Sequence, residues 1–185
     1  MKIKVITSNP GKVTEYQSEF KHLGIEMEHH PIHYDEVQSS DLEEVVRKGL
    51  DEIKKQNPNI GNFMIDDSGL FVDGLKGFPG VWSAYVQKTI GNTGLLKVME
   101  EMTDRSARFK CCIGCVIADE EIIVTGECKG TILETEIGKD GFGFDPIFTH
   151  DGKRSFAEIS MQEKNSVSHR GNAVKLLVKE LENIL

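Results

Sequence analysis

At 185 residues, 38% hydrophobic and 28% charged, the chain has the size and composition of one globular domain spanning 1–185, with no interior linker. A formal charge of −8 excludes a nonspecific binder of nucleic-acid backbones, which this surface would repel. No apolar run reaches membrane-spanning length and Met1–Lys4 shows no basic-then-apolar leader, so the expected location is the cytoplasm, without a membrane partner.

Lys2–Ile6 alternates as a strand and breaks at Thr7-Ser8-Asn9-Pro10-Gly11-Lys12. A helical pattern follows through Val13, Tyr16, Phe20 and Leu23. Strand, Gly-containing loop, then helix offers backbone N–H groups and a helix N-terminus to an anion. The P-loop comparison fails, because the first Gly is missing and Val13 stands where a Ser or Thr would meet Mg²⁺. Lys12 could still place a point charge on a phosphate. Ile25–Tyr34 reads as a second extended piece. Ser40-Asp41-Leu42-Glu43 fits a capping box for a helix that buries Leu42, Val45, Val46, Leu50 and Ile53. Glu36, just ahead of it, is a candidate metal carboxylate or a solvated loop acid.

The centre of the chain is Met64-Ile65-Asp66-Asp67-Ser68-Gly69-Leu70-Phe71-Val72-Asp73. An apolar run reaches two acids, a turn is expected at Ser-Gly, and a Gly/Pro loop ends at Gly80. Neighbouring side chains on a strand point to opposite faces, so at least one acid is expected at a strand end. Carboxylates there suit a hard divalent cation, although Asp, Ser and Gly are also turn formers.

Leu95, Leu96, Met99 and Met102 mark a helix. Ala107–Ala118 and Ile122–Leu133, separated by Asp119-Glu120-Glu121, predict an antiparallel hairpin. Cys111, Cys112, Cys115 and Cys128 fall in these runs. Cys112-x-x-Cys115 resembles half a zinc site, but no second pair completes it, and buried thiols are expected.

In Asp140-Gly141-Phe142-Gly143-Phe144-Asp145-Pro146 two rings flanking a Gly predict a slot for a planar ring, with Asp145 at its edge as acceptor. The last segment places Lys164, Ser168, His169 and Arg170 before an amphipathic helix whose inward positions are Val174, Leu177, Val178, Leu181 and Leu185. Cations near a helix start oppose the macrodipole; a bound anion or an acid such as Asp145 would relieve Lys164 and Arg170. Strands and helices mix with an antiparallel pair, which predicts an α/β fold with a mixed sheet.

Four blocks, Thr7–Lys12, Asp66-Asp67-Ser68-Gly69-Leu70, Phe142-Gly143-Phe144-Asp145-Pro146 and Ser168-His169-Arg170, stand in an order and spacing that closely resemble the inosine/xanthosine triphosphate pyrophosphatases, the Ham1-like family. The resemblance covers essentially the whole chain. It implies an elongated mixed sheet with flanking helices, forming two lobes around a cleft, in a homodimer. It also implies Mg²⁺-dependent cleavage of ITP, dITP or XTP between the α and β phosphates, giving the monophosphate and pyrophosphate. By the same resemblance Thr7, Ser8, Asn9, Pro10, Gly11 and Lys12 hold the phosphates. Glu36 and Asp67 bind the metal, and Asp67 also accepts the proton of the attacking water. Ser68 lies next to the substrate, Phe142 and Phe144 (around Gly143) beside the base, and Asp145, Lys164, His169 and Arg170 contact the substrate.

Asp66 competes with Asp67 for the water, and Asp73 is a further nearby acid. Many relatives carry a cation shortly after the Pro-Gly of the central loop. Here the chain reads Val81-Trp82-Ser83-Ala84-Tyr85, and Lys88 lies further on. Trp82 is a candidate interface anchor or a loop-packing residue. The alternative readings are a Maf-like pyrophosphatase, a nucleotide-binding sensor without turnover, and, more weakly, a zinc protein.

Overall fold

The computed structural model describes residues 1–35 and 37–183, with His22 described by its backbone alone. The chain folds into two compact units. The first comprises Met1–Asp67, Cys111–Gly126 and the chain from Ala173 onward; the second comprises Ser68–Lys110 and Glu127–Asn172. The strands are β1 (Lys2–Val5), β2 (Glu26–His29), β3 (Phe63–Val72), β4 (Pro79–Gly80), β5 (Ser106–Ile117), β6 (Glu120–Ile132) and β7 (Phe148–Thr149). The helices are α1 (Pro10–Phe20), α2 (Leu42–Gln56), α3 (Ser83–Thr89), α4 (Gly91–Val98), α5 (Met161–Val167) and α6 (His169–Glu182). The strand order is β2-β1-β3-β5-β6-β7, with β4 on β3. β1 runs parallel to β2 and β3, whereas β4 and β7 pair antiparallel. The expected α/β fold with a mixed sheet is what forms.

In the first unit, one sheet face carries Met64, Cys111, Ile113 and Cys115 against Val13, Tyr16 and Phe20 of α1 and Val174, Leu177 and Leu181 of α6. Alternation sends Ile65 and Gly114 to the other face. There a Cβ at Gly49 would meet Ile65 Cδ1 at 2.7 Å, and one at Gly114 would meet Val46 Cγ1 at 2.5 Å. Helix α2 is therefore packed directly against strand backbone. The second unit has its own core: Leu70 and Val72 of β3, Leu95 and Met99, and an aromatic set centred on Phe109, Phe148 and Phe156. Phe109 meets Phe148 edge-on at 4.7 Å between centroids, and Phe148 meets Phe156 likewise at 5.0 Å.

Several expectations are corrected. Asp66-Asp67-Ser68-Gly69 is not a turn: β3 runs through it unbroken from Phe63 to Val72. β1 pairs with Phe63 and Met64, β4 pairs with Leu70 and Phe71, and β5 is the neighbour across. This pairing overrides the turn preference of the four residues. The loop thought to end at Lys12 ends at Asn9. Asn9 caps α1 by accepting from Gly11 N at 2.9 Å, and Pro10 takes the first helical position, where its missing N–H costs nothing. Leu23 falls beyond α1 and is exposed. The cap of α2 is Asp41 rather than Ser40: its carboxylate accepts from Glu43 N at 2.9 Å. The expected hairpin forms as β5–β6, but its turn is Ala118-Asp119 alone, both at positive φ, with Glu120 and Glu121 already in the strand. Val81–Tyr85 is not all loop: α3 begins at Ser83, with half-exposed Trp82 at its N-cap and Lys88 in its last turn. Leu185 lies outside the described residues.

Candidate active site

In the first unit the site is built where α1 begins beside β3. Asn9 N donates to Thr7 Oγ1 at 3.2 Å, and His29 Nε2 lies 2.9 Å from the Thr7 carbonyl, so the short segment before the helix is held from both sides. Lys12, in the first turn, reaches Asp66: Nζ is 2.9 Å from Oδ2 and donates to the Asp66 carbonyl at 3.2 Å. The Asp66 side chain is 1% exposed and that of Lys12 15%. A cation in a first turn opposes the helix dipole, and the carboxylate offsets that.

The two adjacent acids are divided between faces. Asp66 shares the α1 face with Met64; Asp67 shares the α2 face with Ile65. On the Asp67 side stands Cys112, whose thiol burial pushes up to about 11, with further upward push from Glu43, Asp67 and Asp41. Asp73, the third acid of this stretch, belongs to the second unit. It takes Arg108 Nη2 on both carboxylate oxygens, at 2.7 and 2.8 Å. Glu36 lies outside the described residues. Among the described residues no three His, Cys, Asp or Glu side chains gather for a metal. All four cysteines are buried free thiols, as expected.

In the second unit, Asp145 is buried and accepts from Lys164 Nζ at 2.7 Å and from Phe142 N at 2.8 Å. Lys164 lies 4.7 Å from the centroid of the Phe142 ring, and the Arg170 guanidinium carbon 5.8 Å from it. Both cations thus use the electron-rich face of one ring. Arg170 Nη2 also donates to Ser68 Oγ at 3.2 Å. His169 stacks on Phe109, 4.7 Å between centroids and 14° between planes. The expected relief of Lys164 by Asp145 is observed, although Lys164 sits in the last turn of α5, where the dipole favours a cation, rather than at a helix start. Arg170 does open a helix, α6.

The two-ring slot is corrected to one ring. Phe144 is buried in the core with Phe148 and Phe156, and only Phe142 is partly exposed. Two supports escaped the sequence. Gln87 Nε2 of α3 donates to the Gly143 carbonyl at 3.1 Å. A Cβ at Gly171 would run into the Asn165 carbonyl, so α6 can start hard against α5 only with glycine there. Neither leaves a periodic signal in the chain.

In the first unit a lysine–aspartate pair at a helix start suits an anion; in the second, taken by itself, two cations lie over an aromatic ring. The comparisons narrow the reading. The family model for the Ham1 family matches residues 3–180. A dITP/XTP pyrophosphatase of Pyrococcus horikoshii is 46% identical over 183 residues, covering 98% of this chain and 97% of that protein. Among solved structures, a HAM1 protein from Coxiella burnetii superposes with a TM-score of 0.84 at 30% identity, with 99% of each chain covered. The Ham1 protein of Staphylococcus aureus gives 0.82 at 29% identity, with 100% of each covered. This chain belongs to the Ham1 family.

Proposed function

We propose that this protein hydrolyses non-canonical purine nucleoside triphosphates, XTP, dITP and ITP, adding water across the α–β anhydride to release the nucleoside monophosphate and pyrophosphate. The observation that carries the reading is the split of Asp66 and Asp67 between two faces of β3. Asp66 serves as counter-ion to Lys12, which supports the reading, taken from the family resemblance, that Asp67 takes the metal and the water.

Mg²⁺ fits the donor set: it takes hard oxygens, and commonly uses only one or two protein carboxylates together with substrate phosphates. Asp67 would hold it, with Glu36 the second carboxylate proposed from the family resemblance. When bound, Mg²⁺ would neutralise phosphate charge. Lys12 adds a second positive charge to the phosphates, with Thr7 and Ser8 supplying backbone N–H groups and Asn9, Pro10 and Gly11 holding the segment in shape. Asp67 orients the water. Asp66 is a poor base for it, because its carboxylate is held by an ammonium.

In the second unit, Phe142 supports the base, and Lys164 and Arg170 present donors to a purine 6-carbonyl. Adenine carries an amino group there and would face donors, an arrangement able to reject it by roughly 10⁴-fold. His169, stacked on Phe109, and Asp145, which holds Lys164 and the Phe142 backbone, fix these groups in place. The working assembly on this reading is a homodimer in the cytoplasm, checked by light scattering, with Trp82→Ala as the first interface variant.

The test is hydrolysis of XTP, dITP, ITP, ATP and GTP side by side, with and without Mg²⁺, identifying the phosphate product. Metal-dependent pyrophosphate release from the first three, with ATP nearly untouched, is the expected result; GTP, which shares the 6-carbonyl, reports whether the site also excludes a 2-amino group. Orthophosphate release, or equal turnover of ATP, overturns the reading. Tight XTP binding without turnover would make the protein a sensor.

A further inference from the structure

Behind Lys12 a line of buried polar groups continues away from the ligand side. Tyr16 lies one turn after Lys12 on α1, so the two share a helix face. Its ring is fully buried, and its hydroxyl stands 3.8 Å from Sγ of Cys111 on β5, itself fully buried. Cys111 Sγ is 3.6 Å from Oδ2 of Asp66, the same oxygen that takes Lys12 Nζ at 2.9 Å. The direction of these bonds follows from the groups. An ionised carboxylate only accepts, so the thiol hydrogen points to Asp66; the sulfur is then left to accept from the Tyr16 hydroxyl. Lys12 approaches the same oxygen as a donor. Asp66 Oδ2 is thereby held by a partly exposed ammonium and by a thiol rooted in the sheet.

We propose that Cys111 is a positioning residue, backed by Tyr16, which sets the Asp66 carboxylate and through it the place of the Lys12 ammonium that meets the ligand's phosphates. The inference rests on the functional reading above for Lys12's role. Strand alternation supports a specific part for Cys111. Cys112, the next residue, is on the opposite face beside Thr125 and acidic groups, and cannot substitute. A buried cysteine in a strand usually serves as a small hydrophobe. Here its sulfur instead lies within reach of a carboxylate on one side and a phenol on the other.

The consequence falls on phosphate binding rather than on the bond-breaking step. Three variants separate a hydrogen-bonding role from packing. Cys111→Val keeps apolar volume and strand preference but removes the donor, Cys111→Ser keeps a donor, and Tyr16→Phe removes only the hydroxyl behind it. Cys111→Val is expected to raise KM for XTP about 3- to 10-fold, since a thiol is a weak donor to a charged acceptor, with kcat nearly unchanged. Cys111→Ser should stay close to the parent, and Tyr16→Phe should fall between. Calorimetric binding of inorganic pyrophosphate to the substrate-free protein should weaken in the same order.

Equal impairment of the Val and Ser variants would show a packing role and overturn the proposal, as would unchanged pyrophosphate binding in Cys111→Val. If Cys111→Val does not fold, Tyr16→Phe decides: parental KM and parental pyrophosphate binding sink the idea. A parent protein that binds pyrophosphate but does not turn over XTP would fail the functional reading while leaving the Cys111 proposal to be judged on binding.

Discussion

Each unit holds a lysine against an aspartate out of water, and the two pairs are built to different ends. In the second unit Lys164 and Asp145 are 6% and 4% exposed. Asp145 also binds the Phe142 backbone, and the ammonium lies over Phe142 and Phe156. That pair is closed at both ends and holds a turn in shape. In the first unit Asp66 is as deeply seated, but Lys12 keeps 15% of its side chain exposed and begins a helix, where the dipole disfavours it. That pair is open at the cation. A sealed pair holds its lysine in one place, as a fixed donor to a ligand's base requires. An open one can exchange part of its protein contact for a ligand's charge.

The comparison breaks most visibly under substitution. Asp145→Ala leaves the Lys164 ammonium buried without its counter-charge, and should cost about 3–5 kcal/mol in urea unfolding. Lys12→Ala should cost less, about 1–3 kcal/mol, because water can reach Asp66 from the side the lysine vacates. Its XTP hydrolysis should nevertheless fall roughly 100-fold or more, through loss of a positive charge on the phosphates. If Lys12→Ala were the more destabilising of the two, the division into sealed and open pairs would be wrong.

The same contrast marks what the chain disclosed beforehand. Helical periodicity marks α1, α2, α6 and α4, although α4 ends at Val98, short of Met99 and Met102, and the β5–β6 hairpin shows as two apolar runs, buried without a break from Cys111 to Ile117 in β5. The four motif blocks and the family resemblance single out Lys12, Asp67, Asp145, Lys164 and Arg170 as candidates. Local pattern missed the continuity of β3 through Asp66–Gly69, since what holds those residues extended is pairing with distant strands. It took Phe144 for a slot wall, because a Phe in a Gly-rich turn carries no mark of which side is core. It treated Asp66 as a rival base, and only alternation on a real strand, with Lys12 reaching across from α1, gave it another partner. Gln87 and Gly171 act through contacts with residues far away in the chain or on another helix, which no local pattern encodes.

A smaller effect is expected at the ring that covers the sealed pair. Phe142→Leu removes the aromatic face beneath Lys164 and Arg170 while keeping apolar bulk, and should cost about 0.5–2 kcal/mol of stability. KM for XTP should rise by up to roughly tenfold, with the preference over ATP reduced, because both donors to the base lose their support. The corresponding change in the first unit, Tyr16→Phe, removes no ring. It should leave stability closer to the parent, and the two variants compared by thermal melting would sharpen the contrast.

The smallest effect concerns the thiols, and its sign is fixed by burial. Cys112 and Cys115 in the first unit are pushed up to about 11 and about 12, and Cys128 in the second to about 11, in each case chiefly because burial disfavours the thiolate. In the unfolded chain these groups ionise near the ordinary thiol value of 9.0. Above that pH the unfolded state releases protons that the folded state keeps, so stability falls as pH rises toward the folded values. Below it these thiols contribute no pH dependence. From about neutral pH, urea midpoints should therefore hold level up to about pH 9 and decline beyond it. Cys115→Val should flatten part of that decline, since Cys115 is fully buried and carries the largest of the three shifts. Alkylation mapped by mass spectrometry at alkaline pH should label Cys128, which is slightly exposed, before Cys115. Labelling in the reverse order would mean that the first unit opens more readily than the second, and its open lysine would then reflect a loose unit rather than a site shaped for phosphate.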